Sequence, residues 1–600
     1  MIRRWLKPLI CGLAVVWGST GFAGKAHAQK NDQSHMIDEL LKKSWEANDL
    51  KPSERCNDYT FVRRAFIDLI GRIPSSDEVR DFINDSSTNK RQKLVKRLLN
   101  AKEYPLKVDG KDTKVAYNEA YAQHWSNIWT IWLMTRGGLM ERYHEGLKFW
   151  LETEILSNTP YDKMVYKLIT ATGKSTENGA VNFILSHMGE ASPADKKISD
   201  GPFEMVPLTS RVTKIFLGIQ TQCTQCHDHP FNPEWGQENF WGVNAFFRQV
   251  SRDKTPTPKT ANAKKDGYVP VTISDDASAN KSGTVYYEKR SGVLVSTKPV
   301  FLPDLSELDK DKADRKEKMM TSETQAKSRR ELAAEFVIGH DNFAKAYVNR
   351  IWAQLFGRGL NETAAFDDFG NHNKVVHAEL LDKLAAAFKT YGYDTKLLLE
   401  WICCSDAYSL SYVANEKNKS ADKEAYFSRM LLKAMSPEVL FESLMEATKA
   451  GAGVRRDELR DRRQIWQQKL VNNFGDDEGN EVSFNGTIVQ ALLMMNGDEI
   501  NKALNSKGAS VIERAIARHK VNDQEIIKEL YYSALSRPMS TAANIPVLDK
   551  KTGKPTGSFT SESKFVMEAL LEAKKTNKLK EFYNDLFWSL LNTNEFILNH

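Results

Sequence analysis

One short pattern constrains this chain more than anything else in it. Cys223, Cys226 and His227 form C-x-x-C-H within IFLGIQTQCTQCHDHPFNPEWGQENFWGVNAFF. With six cysteines and twelve histidines in 600 residues, chance would place that pattern with a probability of about one in a thousand. It is the attachment signature of c-type haem. Two thiols add across the two vinyl groups of the porphyrin, and the next imidazole reaches the iron as proximal ligand. The sequence therefore predicts covalent haem c on Cys223 and Cys226, with His227 as iron ligand. Three other uses of the same residues stay open. The two thiols suit a redox pair, which leaves the adjacent imidazole unexplained. Cys223, Cys226, His227 and His229 are all zinc-ligand types, although seven residues make a cramped tetrahedral site. A plain structural disulfide is the third.

The N-terminus bears on the compartment. Arg3, Arg4 and Lys7 precede the apolar run LICGLAVVWG, and Ala26-His27-Ala28 follows before Gln29. That order is the layout of a secretory leader, residues 1–28. The apolar run is short for a bilayer span. No later segment is apolar enough to be one, so no integral membrane segment is expected after the leader is removed. The expected location is periplasmic or cell-envelope, where c-type haem is attached. Of the remaining cysteines, Cys56 stands alone. Cys403 and Cys404 lie in LLLEWICCSDAYSL, which reads as a buried helix with small buried thiols.

Charge excludes one class of partner. The formal net charge of +6 is small for the length, and lysine and arginine are interspersed with acids, so no nucleic-acid footprint is present. Periodicity gives a mainly α chain. Residues 36–250 read as helical, with helices expected around Leu94–Leu99, Ala116–Met134, Tyr143–Leu156, Asp162–Ala171 and Leu208–Thr221. FVRRAFIDLIGRIPSSDEVRDFIND holds two helices. The first ends at Gly71, and Ser75 or Ser76 caps the second. Trp125, Trp129 and Trp132 fall at helical spacing and read as core. Residues 251–327 form a small β-containing insert and charged linker, with YVPVTI, GTVYY and GVLVSTKPVFL as its extended runs. A second helical domain spans 328–600, opening on a capping box at Ser328 and Glu331.

Other motifs are weaker. Gly173-Lys174-Ser175 lacks the upstream glycine of a phosphate loop, and there is no H-E-x-x-H, G-x-S-x-G or dinucleotide fingerprint. Asp367, Asp368, His372 and His377 cluster in FDDFGNHNKVVHAELL. They suit metal ligation or an acid–base pair, and equally helix caps and ion pairs.

At these residues the chain resembles the planctomycete-type two-domain proteins that pair a PSCyt2 domain (DUF1549) with a PSD1 domain (DUF1553). The first domain is matched by Arg64 to Gly71 with IPSSDEV, by NTPYD at Asn158–Asp162 and by FLGIQTQCTQCHDHPFNP. The second is matched by VNRIWAQLFGRGL at Val348–Leu360, DDFG at Asp367–Gly370, HAELLD at His377–Asp382, SPEVLFESLMEAT and DLFWSLLNTNEFILNH. The resemblance implies a cytochrome character and an association with export and polysaccharide breakdown. Longer members carry a further cytochrome-c-like domain, and here no C-x-x-C-H surrounds Cys56. The resemblance includes a His-Trp pair at 124–125, which makes His124 the first candidate for the sixth iron ligand. His187 and Met188 come next.

The expected function is that of an exported monohaem c-type cytochrome-like protein that transfers or senses electrons with a redox partner protein. The second domain would serve as a docking or scaffold module. The alternative is an exported carbohydrate-related hydrolase or metal-binding protein in which the C-x-x-C pair is structural.

Overall fold

Helix boundaries follow side-chain chemistry. Asn57 accepts a hydrogen bond from the backbone N–H of Thr60 and starts the helix Asp58–Ile70. Gly71 ends it in the left-handed conformation, φ 72°, which costs a residue without a Cβ little. Four residues later Ser75 and Glu78 exchange side-chain and backbone bonds in a capping box that opens Ser76–Asn84. Ser328 and Glu331 do the same for Arg329–Ile338. Each box satisfies two backbone donors that a helix start otherwise leaves orphaned.

A computed structural model describes residues 20–135, 141–232, 235–253, 270–304, 326–449, 510–548 and 555–600, with a few single positions between 305 and 325 and two between 450 and 509. Residues 1–19, most of the expected leader, and much of the expected linker lie outside the described residues. Among the described residues the fold is mainly α, with only small sheets. The expected helices appear as Lys90–Asn100, Tyr117–Met134, Glu141–Leu156, Tyr161–Ile169 and Val206–Leu217. Among the described residues, no helix is long and apolar enough to cross a membrane.

The insert is tied into the body. Thr272–Asp275 is the central strand of a three-stranded antiparallel sheet, between Gly173–Lys174 and Val250–Arg252. Val271 and Ile273 are buried in the main core. Arg330, on the first helix after the linker, grips both oxygens of Asp275 at 2.8 Å. Val285–Glu288 and Leu294–Thr297 form a separate hairpin.

Among the described residues two hydrophobic cores organise the chain, and they do not divide it at residue 328. The first runs from Ile37 to Met430 and takes side chains from both expected helical domains. Tyr161 stacks on Tyr347 with ring centroids 3.9 Å apart, and Trp129 and Phe388 flank the pair. The second core gathers residues from Met435 to Ile597 and borrows Ile67 and Ile73 from near the N-terminus. Buried arginines join the two. Arg63 donates to the carbonyls of Ala534 (3.0 Å) and Phe596 (2.7 Å). Its neighbour Arg64 donates to those of Tyr408, Leu410 and His600. A guanidinium is the side chain that can satisfy several carbonyls from one buried point.

Candidate functional site

The C-x-x-C-H segment begins where a helix is made to stop. Val206–Leu217 ends at Gly218 (φ 62°), whose N–H returns to the Lys214 carbonyl. The chain then tightens into a 3₁₀ turn over Gln222–Gln225. Thr224 is fully buried, and its hydroxyl donates to the Thr221 carbonyl at 2.6 Å. Cys223 and Cys226 on either side of it are exposed free thiols. Residues three apart eclipse one another in a 3₁₀ turn, so burying Thr224 turns both thiols outward along one edge.

His227 follows at the end of this turn. Its Nδ1 lies 2.6 Å from the backbone oxygen of Asp228. A carbonyl only accepts, so Nδ1 carries the hydrogen and Nε2 of the neutral ring is left bare. Metal-ligating histidines are commonly held this way, by a backbone or carboxylate acceptor on the other nitrogen. Asp228 in turn accepts the N–H of Gln237, and the carbonyl of Gln225 receives the side chains of Gln237 and Trp241. The loop is thus fixed from the helix Gln237–Asn244. Gln237 also donates to the Glu288 carbonyl, which joins the loop to the hairpin of the insert.

His229 plays a different part from His227. It is buried, and its Nδ1 accepts the N–H groups of Phe231 (3.3 Å) and Asn232 (3.0 Å). Burial is the main cause that holds its pKa below the ordinary value. Nδ1 is therefore committed to shaping the DHPFN turn. A zinc site using Cys223, Cys226, His227 and His229 Nδ1 would have to break those bonds. Among the described residues, no group of three or more His, Cys, Asp or Glu side chains is arranged to hold a metal ion.

The second half of the chain reaches this loop through the segment Asp367–Asn373. Phe369 donates its N–H to the Gly218 carbonyl at 2.8 Å. Asp367 lies 3.4 Å from the Gln220 amide, 3.7 Å from Lys214 and 3.5 Å from Arg350. Asp368 pairs with His372 Nε2 at 2.9 Å. The His372 ring sits 5.6 Å from those of both His229 and Phe231. Phe231 itself is 68 % exposed and gives the loop an apolar flank. The sequence cluster at 367–377 thus divides. Asp367, Asp368 and His372 pack against the motif loop, whereas His377 is buried elsewhere, with Nε2 on the Ala425 carbonyl.

The candidates for a sixth ligand make their contacts with other parts of the chain. His124 packs over Gly71 and is driven by burial to a pKa of about 4. It lines a small cavity with Lys433, Glu438 and Asn599. His187 is bound through Nδ1 to Phe183 and Ser186, and burial lowers it to about 3. Met188 is packed against the first core. None of these contacts involves residues 223–227. Sequence reading missed the roles of Gln237 and Trp241 as supports. Polar and aromatic side chains ten to fifteen residues downstream carry no spacing signal for that task.

The motif's donor set suits a covalently held porphyrin: two reachable thiols on one edge, one imidazole with a bare Nε2, and an exposed phenyl ring beside them. Residues 36–252 match the family model for PSCyt2, a protein of unknown function (DUF1549), and residues 328–469 match that for PSD1, a protein of unknown function (DUF1553). Neither the curated proteins nor the solved structures offer a match to the chain. The chain belongs to the family of proteins that join a PSCyt2 (DUF1549) domain to a PSD1 (DUF1553) domain.

Proposed function

We propose that this protein is an exported, single-haem c-type cytochrome-like protein that transfers or senses electrons in the periplasm or cell envelope. The observation that carries the reading is the geometry of the 223–227 turn. Its two exposed thiols share an edge, and the adjacent His227 has Nδ1 occupied by the Asp228 carbonyl. Cys223 and Cys226 would hold the group through thioethers, and His227 would ligate its iron. The group supplies a one-electron couple, whose potential depends on axial ligation and burial. The chain's own part is to hold the imidazole at a fixed angle, keep the turn rigid through Thr224, Gln237 and Trp241, and leave one side open to a redox partner protein.

The test is expression with the native leader in a cell that attaches c-type haem. Wild type is expected to retain haem after denaturing electrophoresis and to begin near Gln29. The double variant Cys223→Ala/Cys226→Ala is expected to lose the haem, and Cys403→Ala to keep it. Wild-type protein that carries stoichiometric zinc and no haem would overturn the reading in favour of a metal-binding protein.

A further inference from the structure

The second half of the chain sets an aspartate–histidine pair against the motif loop. His372 Nε2 lies 2.9 Å from Asp368 Oδ2. A carboxylate only accepts, so Nε2 carries the hydrogen and Nδ1 of the neutral ring is bare. The segment that presents the pair is fixed on both sides of it. The Phe369 N–H bonds to the Gly218 carbonyl at 2.8 Å. Asn373 Nδ2 donates to the carbonyls of Ala365 (2.6 Å) and Asp368 (2.9 Å). Gly370 leaves the room that the ring needs, since a Cβ there would stand 2.8 Å from His372 Nδ1.

Packing alone does not account for a polar pair at this joint. The His372 ring centroid is 5.6 Å from those of His229 and Phe231, and a phenyl ring would fill the same place. The imidazole carries a cost that a phenyl would not. Its Nδ1 is buried with no partner, and so is Oδ1 of Asn232 beside it. Each such orphan costs about 1–3 kcal/mol. Local costs of this kind are kept at functional sites. Charge points the same way. Asp367 meets Gln220, Lys214 and Arg350. Among the described residues, no lysine or arginine pairs with Asp368. The charge of Asp368 acts on the His229 ring, as do His372 and His227. The carboxylate and the expected iron ligand are thus both within electrostatic reach of one imidazole.

We infer that Asp368 and His372 act on the 223–227 site from the second domain: His372 is a positioning residue that holds the DHPFN turn through His229 and Phe231, and the Asp368 carboxylate lowers the potential of the couple at His227. The second role rests on the cytochrome reading above. The first does not. A negative charge near a one-electron couple favours its oxidised, more positive state.

Hydrogen exchange on the haem-free full chain reads the positioning role. The amides of Phe231 and Asn232 donate to His229 Nδ1. His372→Ala is expected to speed their exchange by about tenfold or more while the core helix Asn342–Phe356 stays protected. His372→Gln is a milder truncation of the ring and gives the same reading if the alanine variant does not fold. Asp368→Asn is isosteric, still accepts from His372, and is expected to leave that exchange unchanged. Spectroelectrochemical titration of haem-loaded protein reads the potential. Asp368→Asn is expected to raise it, changing the oxidised-to-reduced ratio at a fixed ambient potential by about threefold or more, about 28 mV for one electron. Unchanged exchange in a folded His372 variant overturns the positioning role. An unchanged potential in Asp368→Asn overturns the electrostatic role and leaves the cytochrome reading standing. A wild type without covalent haem overturns that reading and the electrostatic role together, and exchange still decides the positioning role.

Discussion

Phe369 seals the start of the motif loop by standing on Gly218. Its N–H bonds to the Gly218 carbonyl at 2.8 Å, and a Cβ built on that glycine would lie 2.6 Å from its ring. Gly218 also has φ 62°, which L side chains adopt at a cost. Strain and overlap therefore act together at one atom. Gly218→Ala is expected to destabilise the protein by about 2–4 kcal/mol, measured by urea unfolding. It should also loosen the turn that follows, so haem retention should fall alongside. A variant as stable as wild type would mean that Phe369 does not pack there in solution.

Arg64 carries a larger load than its place on a short helix suggests. It is 1 % exposed, and its donors go to three backbone carbonyls on two separate segments. Lysine keeps the charge but offers one nitrogen where the guanidinium spreads three. Arg64→Lys is expected to cost about 2–4 kcal/mol, because carbonyls near 408–410 and at 600 lose buried partners. The measurement is the urea midpoint at unchanged slope. A loss below about 0.5 kcal/mol would mean water replaces the guanidinium freely.

Much of the local structure was legible before these contacts were known. The Ser328 and Glu331 box was readable because its chemistry sits within four residues. The burial of Trp125, Trp129 and Trp132 was readable from helical spacing alone. What was not legible is pairing at long range. The apolar faces of Tyr161 and Tyr347 can each be found by periodicity, yet nothing in either segment says that they stack on one another. The single core shared by both expected domains follows from such pairs. The Asn599–Asp68 contact spans 531 positions and was invisible for the same reason. One further local signal is present in the sequence. Asp109-Gly110, both at positive φ, closes the hairpin of Tyr104–Val108 and Lys111–Val115. Asp-Gly between short strands is a strong two-residue hairpin signal.

The five described cysteines are expected to separate sharply by reactivity. Cys223 and Cys226 are exposed. Burial pushes the Cys403 thiol well up and that of Cys404 to about 12, and Cys56 is buried as well. The thiolate is the nucleophile, so exposure favours the motif pair, and the raised pKa values disfavour Cys403 and Cys404. In haem-free native protein, iodoacetamide followed by peptide mass mapping should label Cys223 and Cys226 first. The other three should label only after unfolding. In haem-loaded protein the motif pair should be silent. Early labelling of Cys403 would show that the helix Thr395–Cys403 opens readily.

Acid should unfold this protein earlier than its carboxylates alone would dictate. Burial holds His124, His340, His377 and His600 at about 4 and His187 at about 3. An unfolded histidine titrates near 6.5. Between those values the unfolded chain binds protons that the folded chain refuses, so stability falls as pH drops from about 6.5 toward 4. Each group contributes up to about 1.4 kcal/mol per pH unit in that window. Asp38 works in the opposite direction, since burial raises it to about 6, but it is one partly exposed group against five. Glu78, drawn down to about 2 against its burial by Arg72, loses its contribution only below about 4.5. The histidine effect therefore begins first. Melting temperature followed from pH 7.5 to 4 should start to fall above pH 5.5. His340→Gln, which keeps a donor toward the Pro303 carbonyl, should flatten the slope by about one group's share. A melting temperature constant down to pH 5 would mean that these imidazoles are not buried as neutral groups.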